Sequence, residues 1–261
     1  MESNPHAWIE TLRRSHDRLV RLAEPLTPGQ LREQSYCTEW SLAQVLSHLG
    51  SGAEIALMTL PAALGEAEPV SRDAFVPVWE KWNAKRPEDQ AADALASDER
   101  QVRALEALTD EQLAQMKMDF FGMRLDAVGI VRLRLGEHAL HSWDVAVHSD
   151  PDAAVSADAT DLLIDSVPAF LGPRLGKPLG EPFRVRITTT DPARDYLLTS
   201  GDSVTVTNWA DGFEGAVPQV TMPAEALLRL SYGRLDPDHT PASVSGDDDV
   251  LGKLRLIFPG F

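Results

Sequence analysis

Residues 125–148 read LDAVGIVRLRLGEHALHSWDVAVH, and their apolar and polar positions repeat with the period of one long helix. The apolar positions of the inward stripe are Val128, Ile130, Leu133, Leu140 and Val145. Halfway along, the stripe becomes polar, because Glu137, His141 and Asp144 follow one another at steps of four and three residues. The segment therefore predicts a helix that joins a helical core and also presents polar groups to it.

Three further helical regions precede this segment. Residues 7–26 and 41–61 repeat apolar side chains at three- and four-residue steps, and Ser41 can cap the second region. A third region covers residues 75–108, and Pro87 is expected to divide it into two helices. Four long helical regions within one part of the chain predict an N-terminal helical bundle.

The pattern changes after Asp150, where long helices give way to shorter elements. A short helix near residues 159–171 and the Gly- and Pro-rich linker at 172–182 indicate a domain seam. The later segments with strand periodicity are FRVRITTTD (183–191), YLLTSG (196–201), SVTVTNW (203–209) and VPQVTM (217–222), and helices are predicted at 224–232 and 250–257. We therefore divide the chain into a helical domain, residues 1–155, and a linker with a small α+β domain, residues 156–261.

The composition favours a folded chain that avoids nucleic acids and membranes. A hydrophobic content of 43% over 261 residues is enough for a substantial core, and the net charge of -16 repels phosphate backbones. The N-terminus lacks the features of a secretory signal, and no apolar stretch approaches the roughly 20 residues of a membrane span. The single cysteine, Cys37, fits a reducing compartment. These features predict a cytoplasmic protein, and they leave open whether it is a monomer or a homodimer.

The polar stripe of residues 125–148 contains a candidate metal site. Glu137 and His141 lie four residues apart, so a helix places both on one face, where they can reach a single ion. His48 sits at the edge of the inward face of the second predicted helix, and a bundle can bring it opposite that pair. Two imidazoles and a carboxylate suit zinc, although nickel, iron or manganese would also fit. Three protein ligands leave a coordination position open, which favours a catalytic ion.

Other residues near the stripe leave alternatives open. His138 and His141 are three residues apart and could form a competing pair on an adjacent face. Asp144 and His148 continue the stripe, and either could orient a metal-bound imidazole from behind. Cys37 precedes the second predicted helix and could act as a nucleophile, although a half-buried small side chain is the plainer interpretation. Spacing alone does not decide among these possibilities.

Two motifs and the C-terminal tail resemble a known family. The segments CTEWSLAQVLSHL at 37–49 and EHALHSWD at 137–144 look like the two motifs of the mycothiol-dependent maleylpyruvate isomerase family. In the tail, AEALLRLSYGR at 224–234 and SVSGD at 243–247 look like the sterol-carrier-like C-terminal domain of that family. The family belongs to the DinB-like superfamily. The resemblance therefore implies a DinB-like four-helix bundle followed by a sterol-carrier-like α+β domain.

The resemblance also implies metal ligands and a reaction. The family's ligands fall on His48, Glu137 and His141, and a catalytic arginine of its C-terminal domain falls on Arg234, with Arg229 as the alternative. The implied cosubstrate is mycothiol, whose thiol would lose its proton at the divalent metal and attack a small electrophile as a thiolate. Such an enzyme would be an isomerase if the thiol leaves again, or an S-transferase if the thiol stays on the product.

Further side chains are candidates for supporting roles. Arg234, Arg184 or Arg186 could hold a substrate carboxylate in bidentate fashion. Asp144 is the candidate catalytic residue beside the metal, where it would orient a ligand. With water in place of the thiol, the protein would instead be a metal-dependent hydrolase with Asp144 or His148 as its general base. A third interpretation is a metal- or ligand-binding protein without enzymatic activity.

Overall fold

The computed structural model describes residues 4–120, 122–168, 172–210 and 216–260. The chain divides into two compact units, Met1–Asp150 and Pro151–Phe261. The division between these units falls five residues before the boundary that the sequence predicts between residues 155 and 156. It coincides with the change from long helices to shorter elements. The first unit is mainly helical, and the second combines a sheet with short helices.

Helices dominate the N-terminal unit. Its helices are α1 (Pro5–Ala23), α2 (Leu42–Ala63), α3 (Val76–Asn83), α4 (Pro87–Glu106), α5 (Asp110–Gln115) and α6 (Ala127–Ala146), its strands are β1 (Lys117–Phe120) and β2 (Met123–Asp126), and short 3-10 turns occupy Gln30–Arg32 and Arg72–Phe75. Local capping explains where two of the helices begin. Ser41 and Gln44 form a capping box at the start of α2, and Asp126 caps α6 by accepting a hydrogen bond from the backbone N–H of Gly129.

The predicted helical regions of this unit are present, with two additions, the short helix α5 and the β1–β2 hairpin. Pro87 begins α4 and separates it from α3, because a proline lacks the N–H that a helix interior needs. The start of the helix predicted for residues 125–148 is instead a strand, since the chain up to Asp126 pairs with β1 in an antiparallel hairpin. Strands of four residues contain too few alternating positions to be recognised from the sequence pattern.

The long helices α1, α2, α4 and α6 pack into a four-helix bundle. α2 packs chiefly against α4, α1 packs against α6 and α4, and α2 also meets α6. The fully buried side chains of these helices include Leu12, Leu42, Leu46, Leu49, Val102, Val131 and Leu135. Burying each such leucine or valine contributes about 1.5–3 kcal/mol of hydrophobic stabilisation. On α6 only Leu140 and Val145 of the predicted inward positions are buried; Val128, Ile130 and Leu133 are partly buried, and Val131 and Leu135 take their place in the core.

Helix α2 is long, but polar residues occur along its apolar sequence. It spans 22 residues, which in length alone would suffice for a membrane span. Gln44, His48 and Glu54 interrupt its apolar run. Within the described ranges, no helix is both long and apolar enough to cross a bilayer.

A charged network is buried inside the bundle. The carboxylate of Asp98 on α4 is 1% exposed and accepts a hydrogen bond of 2.6 Å from Arg134 Nη2. Its Oδ2 lies 2.6 Å from His16 Nδ1 and 2.8 Å from His138 Nε2. Burial would raise the pKa of Asp98, but the neighbouring His138 and Arg134 more than offset this effect and hold the pKa well below its usual range. One ionised carboxylate thus joins α1, α4 and α6.

A mixed sheet forms the centre of the C-terminal unit. Its strands are β3 (Phe183–Thr190), β4 (Arg194–Ser200), β5 (Val204–Asn208) and β6 (Gln219–Pro223), and its helices are α7 (Ala157–Leu163), α8 (Gly172–Leu175), α9 (Ala224–Ser231) and α10 (Asp248–Ile257). The strand order is β5-β4-β3-β6, with β3 antiparallel to β4 and parallel to β6. Side chains alternate along β3, where Phe183, Val185 and Ile187 are buried. The combination of a helical bundle and an α+β unit confirms the predicted fold class.

Two predicted elements of this unit differ from the observed ones in extent. The helix predicted for residues 159–171 ends at Leu163 and continues as the 3-10 helix Ile164–Ser166, while residues 169–171 lie outside the described residues. The predicted linker at 172–182 begins with the short helix α8. Glycine and proline after Leu175 limit α8 to four residues, because both residue types disfavour a helix interior.

Candidate metal centre

Helices α2 and α6 bring three potential ligands together. His48 belongs to α2, while Glu137 and His141 stand one turn apart on α6. His48 Nε2 lies 2.9 Å from Glu137 Oε2, and His141 Nε2 lies 3.6 Å from the same oxygen. One potential ligand atom from each residue falls within 4.8 Å of the other two. The structure thus brings together the three residues predicted as ligands, and their donor set of two imidazoles and one carboxylate suits a divalent ion.

The three side chains form a centre that is open on one side. The side chains of His48 and Glu137 are 38% and 47% exposed, whereas that of His141 is 11% exposed. Desolvation lowers the pKa of His48 below its usual value, despite the bond to Glu137. Desolvation would raise the pKa of Glu137, but hydrogen bonds with His141 and His48 more than offset it and keep the carboxyl ionised. A neutral imidazole and an ionised carboxylate are the forms that bind metals.

Asp144 holds His141 from behind. The Asp144 carboxylate is fully buried, and its Oδ2 lies 2.7 Å from His141 Nδ1 and accepts a hydrogen bond of 3.2 Å from the Cys37 thiol. Desolvation would lower the pKa of His141, but hydrogen bonds with Asp144, Cys37 and Glu137 raise the pKa to about 10, so an ion bound at His141 would have to displace a proton. Because Nδ1 faces Asp144, Nε2 is directed at Glu137. Metal-bound histidines commonly have a carboxylate in this position.

Cys37 belongs to the closed side of the centre. Cys37, His141 and Asp144 also have potential ligand atoms within 4.8 Å of one another. That second set uses Nδ1 of His141 and a carboxylate with no exposed surface, whereas the set with His48 is open to solvent. A substrate can reach the open set, so the open set is the candidate centre. The thiol reinforces the position of Asp144.

His138 serves the buried network and not this centre. It is completely buried, with Nε2 2.8 Å from Asp98 Oδ2 and Nδ1 3.0 Å from Ser15 Oγ. His138, Asp98 and His16 also have potential ligand atoms close together. There, however, the guanidinium of Arg134 pairs with Asp98 and would repel a cation. The competing His138 pair considered from the spacing is therefore directed into the bundle core.

Two neighbours of the centre differ from the sequence-based expectations. His148, considered as a support for a ligand, has its Nε2 2.9 Å from a carboxylate oxygen of Glu33. Trp40 was not recognised from the sequence, yet its ring centroid lies 5.0 Å from that of His48 and 6.0 Å from that of His141. Its place in the same motif as His48, directly before the cap of α2, is the signal that could have revealed it. Trp40 forms an aromatic wall beside both imidazoles.

Comparison with known sequences identifies the family. Residues 12–146 match the profile of the mycothiol maleylpyruvate isomerase N-terminal domain, which is more than half of the chain. The chain belongs to the mycothiol maleylpyruvate isomerase family. Residues 163–253 match the MDMPI C-terminal domain of this family, and the resemblance recognised from the two motifs and the tail is thereby confirmed. No curated protein matches the sequence at a significant level.

Solved structures share the family fold along most of the chain. The crystal structure of a mycothiol-dependent maleylpyruvate isomerase is 16% identical, with a TM-score of 0.66 and 94% of each chain covered. That of a histidine-to-alanine mutant is also 16% identical, with a TM-score of 0.64, covering 90% of this chain and 91% of its own. YfiT from Bacillus subtilis, described as a probable metal-dependent hydrolase with an unusual four-helix bundle topology, has a TM-score of only 0.41 at 20% identity, covering 57% of this chain and 87% of its own.

The family's C-terminal domain, residues 163–253, carries the arginines considered for substrate binding. Arg229 is buried and donates to both carboxylate oxygens of Glu225, from Nε over 2.7 Å and from Nη2 over 3.0 Å. Its Nη1 donates to the backbone carbonyl of Arg234. Arg234 is also buried, and its Nη1 donates to the carbonyl of Tyr232 over 2.9 Å. Arg229 therefore stabilises the turn that contains Arg234.

The two arginines of β3 have different surroundings. Arg186 donates to Asp195 in bidentate fashion, over 2.9 Å from Nε and 2.6 Å from Nη2, and its guanidinium lies 4.7 Å from the ring centroid of Trp209. Arg184 is exposed. Arg186 is thus engaged in the sheet, since a bidentate pair uses the geometry that a substrate carboxylate would need.

Proposed function

We propose that this member of the mycothiol maleylpyruvate isomerase family is a metal-dependent enzyme that uses mycothiol. It either isomerises a small electrophile or joins the thiol to it as an S-transferase. The observation that carries the proposal is the open cluster of His48, Glu137 and His141 with the buried Asp144 behind it. Zinc is the first candidate for this donor set, followed by nickel, iron and manganese. A divalent ion held there would lower the pKa of a thiol, so that the reactive thiolate prevails near neutral pH.

The protein's own side chains would prepare the reaction in distinct ways. The ionised Glu137 and the neutral His48 lie on the exposed side, where a thiol and a substrate can approach. Asp144 fixes the ring of His141 so that Nε2 is directed at the centre. The ring of Trp40 lies beside both imidazoles and lines one side of the centre. The cosubstrate supplies the nucleophile, so no side chain of the protein needs to be covalently modified.

The two candidate reactions differ in the fate of the thiol. In an isomerisation, the thiolate adds to a conjugated double bond, the adduct rotates about the resulting single bond, and the thiolate leaves again. Free thiol is then regenerated in every cycle. In an S-transfer, the new carbon–sulfur bond persists, and the substrate either takes up a proton or loses a leaving group. The amount of free thiol therefore distinguishes the two reactions.

Thiol dependence of the metal-loaded, full-length protein tests the proposal. Maleylpyruvate, the substrate in the family's name, is the first probe for isomerisation, and chlorodinitrobenzene is the probe for S-transfer. We expect turnover only when mycothiol is present, with free thiol constant in the first assay and consumed one for one in the second. Hydrolysis of esters or amides without added thiol would instead favour the hydrolase. Stoichiometric metal without turnover of any probe would favour a non-enzymatic binding protein.

Replacing Asp144 with asparagine or alanine should weaken metal binding without removing a ligand. Loss of a carboxylate behind a metal-bound histidine typically lowers metal affinity about 10–100-fold, because the imidazole loses its fixed orientation. Competition with a chromophoric chelator measures this affinity. Glu33→Gln is the matched control, since it changes a carboxylate that pairs with a histidine elsewhere. Wild-type affinity in both Asp144 variants would show that Asp144 does not position His141.

Arg234 is the proposed binding residue for a substrate carboxylate. Support comes from the resemblance of the Y-G-R segment to the family's motif, and from the planar guanidinium, which can pair with a carboxylate in bidentate fashion. This assignment makes Arg234 the residue whose loss should affect substrate binding most.

Changing Arg234 to alanine should lower kcat/KM roughly ten- to hundredfold, because a charge-assisted hydrogen bond is worth about 1.5–3 kcal/mol. Arg234→Lys should recover only part of the loss, since lysine keeps the charge but not the planar fork. Metal content is measured on the same preparations and should not change, while thermal unfolding reports the cost of losing the buried guanidinium and its hydrogen bond to the Tyr232 carbonyl. If Arg184→Ala lowers kcat/KM while both Arg234 variants keep the wild-type value, Arg184 and not Arg234 binds the substrate carboxylate.

A further inference from the structure

A cavity of about 970 Å³ lies in the N-terminal unit, among the C-terminal half of α2, the segment leading into α3 and the β1–β2 hairpin. Its apolar wall includes Ile55, Ala63, Val70, Phe75, Trp79 and Met118. Small-molecule sites in proteins typically enclose roughly 300–1,000 Å³ and are mostly apolar. The cavity therefore has the size and lining of a ligand site, and the proposed reaction uses none of its residues.

The cavity is separate from the candidate metal centre. Both involve α2, but Ile55 comes seven residues after His48. Seven residues rise about 10.5 Å and complete nearly two turns, so the two side chains lie on one side of α2 at different levels. None of His48, Glu137 and His141 is among the residues that line the cavity, so the cavity and the metal centre are distinct sites.

An exposed tryptophan and a half-buried phenylalanine lie at the cavity. Trp79 is 40% exposed, and the ring of Phe75 meets it edge-on at a centroid distance of 6.2 Å. Among the described residues, the large hydrophobic side chains with at least this exposure are Val76, Trp79 and Leu256. Two of these three belong to the same short segment. A concentration of exposed apolar surface beside a cavity indicates a binding partner.

More cations than carboxylates line the same cavity. Arg72, Lys117 and Arg124 line it, whereas Asp119 is the carboxylate among its described lining residues. Lys117 and Arg124 are exposed. Among the residues that the structure describes, neither of them has an ion-pair partner. The lining thus has three cations and one carboxylate in a chain whose net charge is -16, while the strand pairing sets Asp126 opposite Lys117 and Asp119 opposite Arg124. The charge is complementary to an anionic group at the edge of an apolar ligand.

We propose that this cavity binds an amphipathic monoanion, namely a carboxylate with an aromatic or medium-chain aliphatic body. The apolar wall buries the body, and Phe75 and Trp79 cover it. Lys117 and Arg124 bind the carboxylate through charge-assisted hydrogen bonds. A wholly polar ligand would leave the apolar wall in contact with water, and a neutral ligand would gain nothing from the cations. The site is independent of the proposed thiol-dependent reaction.

Isothermal titration calorimetry of the full-length protein with decanoate and with 4-phenylbutyrate tests the site. The buffer contains EDTA, so that a metal ion cannot hold the carboxylate. We expect one equivalent of at least one probe to bind, and the tighter of the two identifies the body that the cavity prefers. Decanol and 4-phenylbutanol, which lack the charge, should have Kd values roughly ten- to hundredfold higher, as expected for the loss of a charge-assisted bond.

Variants locate the bound probe. The double change Lys117→Gln with Arg124→Gln should raise Kd roughly ten- to hundredfold, and Trp79→Ala should also raise it. Arg100→Gln is the matched control, because Arg100 is an exposed cation of α4 outside the cavity and should leave Kd unchanged. Circular dichroism verifies that each variant is folded. The proposal is overturned if neither carboxylate binds at millimolar concentration, if the alcohols bind as tightly, or if the control variant weakens binding as much as the double variant.

Discussion

Changing His48 to alanine is expected to abolish stoichiometric metal binding and thiol-dependent turnover while leaving the helical content unchanged. His48 supplies one of three donor atoms, and its side chain is 38% exposed, so its removal opens no large cavity in the bundle core. Loss of a residue that only orients a ligand already lowers metal affinity about 10–100-fold, and loss of a direct ligand should exceed that range. Metal content, kcat/KM and circular dichroism are measured on the same preparation.

A second histidine provides the control for this experiment. His6 on α1 is 54% exposed and its Nε2 lies 2.7 Å from an Asp110 oxygen, so His6→Ala also removes a histidine–carboxylate pair from the surface of the unit. This variant should keep full metal content and activity. His48→Gln preserves much of the side-chain volume and separates loss of a ligand from loss of packing. One equivalent of metal at wild-type affinity in His48→Ala would rule out the ligand role.

Changing Asp98 to asparagine is expected to destabilise the protein by about 3–5 kcal/mol, the range for breaking a buried ion pair. The change removes the charge that compensates Arg134, whose side chain is only 9% exposed, and it weakens the contacts with His16 and His138. The guanidinium would remain buried with a neutral partner. Urea unfolding followed by circular dichroism measures the difference in unfolding free energy.

The control for Asp98 lies on the same helix. Asp93 is 56% exposed and pairs with Lys85 at 2.9 Å, so Asp93→Asn should change the unfolding free energy by less than about 1 kcal/mol. Acid provides a second test. Because the pKa of Asp98 is lower in the folded than in the unfolded state, its contribution is complete above about pH 4 and is lost as the pH falls below that value. A stability difference between wild type and Asp98→Asn that does not shrink in acid would contradict this explanation.

Contacts within one helix could be predicted from sequence spacing alone. Glu137 and His141 share a face because they are four residues apart, and Asp144 follows at a step of three. His48 needed more information, because its approach to α6 depends on how two helices pack. The bundle topology made this pairing plausible, and the family motifs selected His48 among the histidines.

Contacts between helices that carry no local signal could not be predicted. Asp98 meets His16 and His138 only because three helices converge, and nothing in the spacing of these residues indicates it. The direction of His138 was ambiguous for the same reason, since steps of three and of four both connect residues on neighbouring faces. Trp40 lies in a loop before α2, where no periodicity indicates its direction. The positions of these side chains depend on tertiary packing, which the sequence pattern does not contain.

Adjacent residues of α6 serve two different clusters, because successive side chains on a helix diverge by about 100°. Glu137 belongs to the candidate centre, and His138 belongs to the network around Asp98. A rotation or a slide of α6 that displaced the ligands would also break the buried network, so the donor atoms keep their positions before an ion arrives. Replacement of one divalent ion by another should then occur without refolding, unlike in small zinc domains that unfold when the metal is removed. The ion that the protein carries would then depend on its affinity for two imidazoles and a carboxylate as well as on its availability.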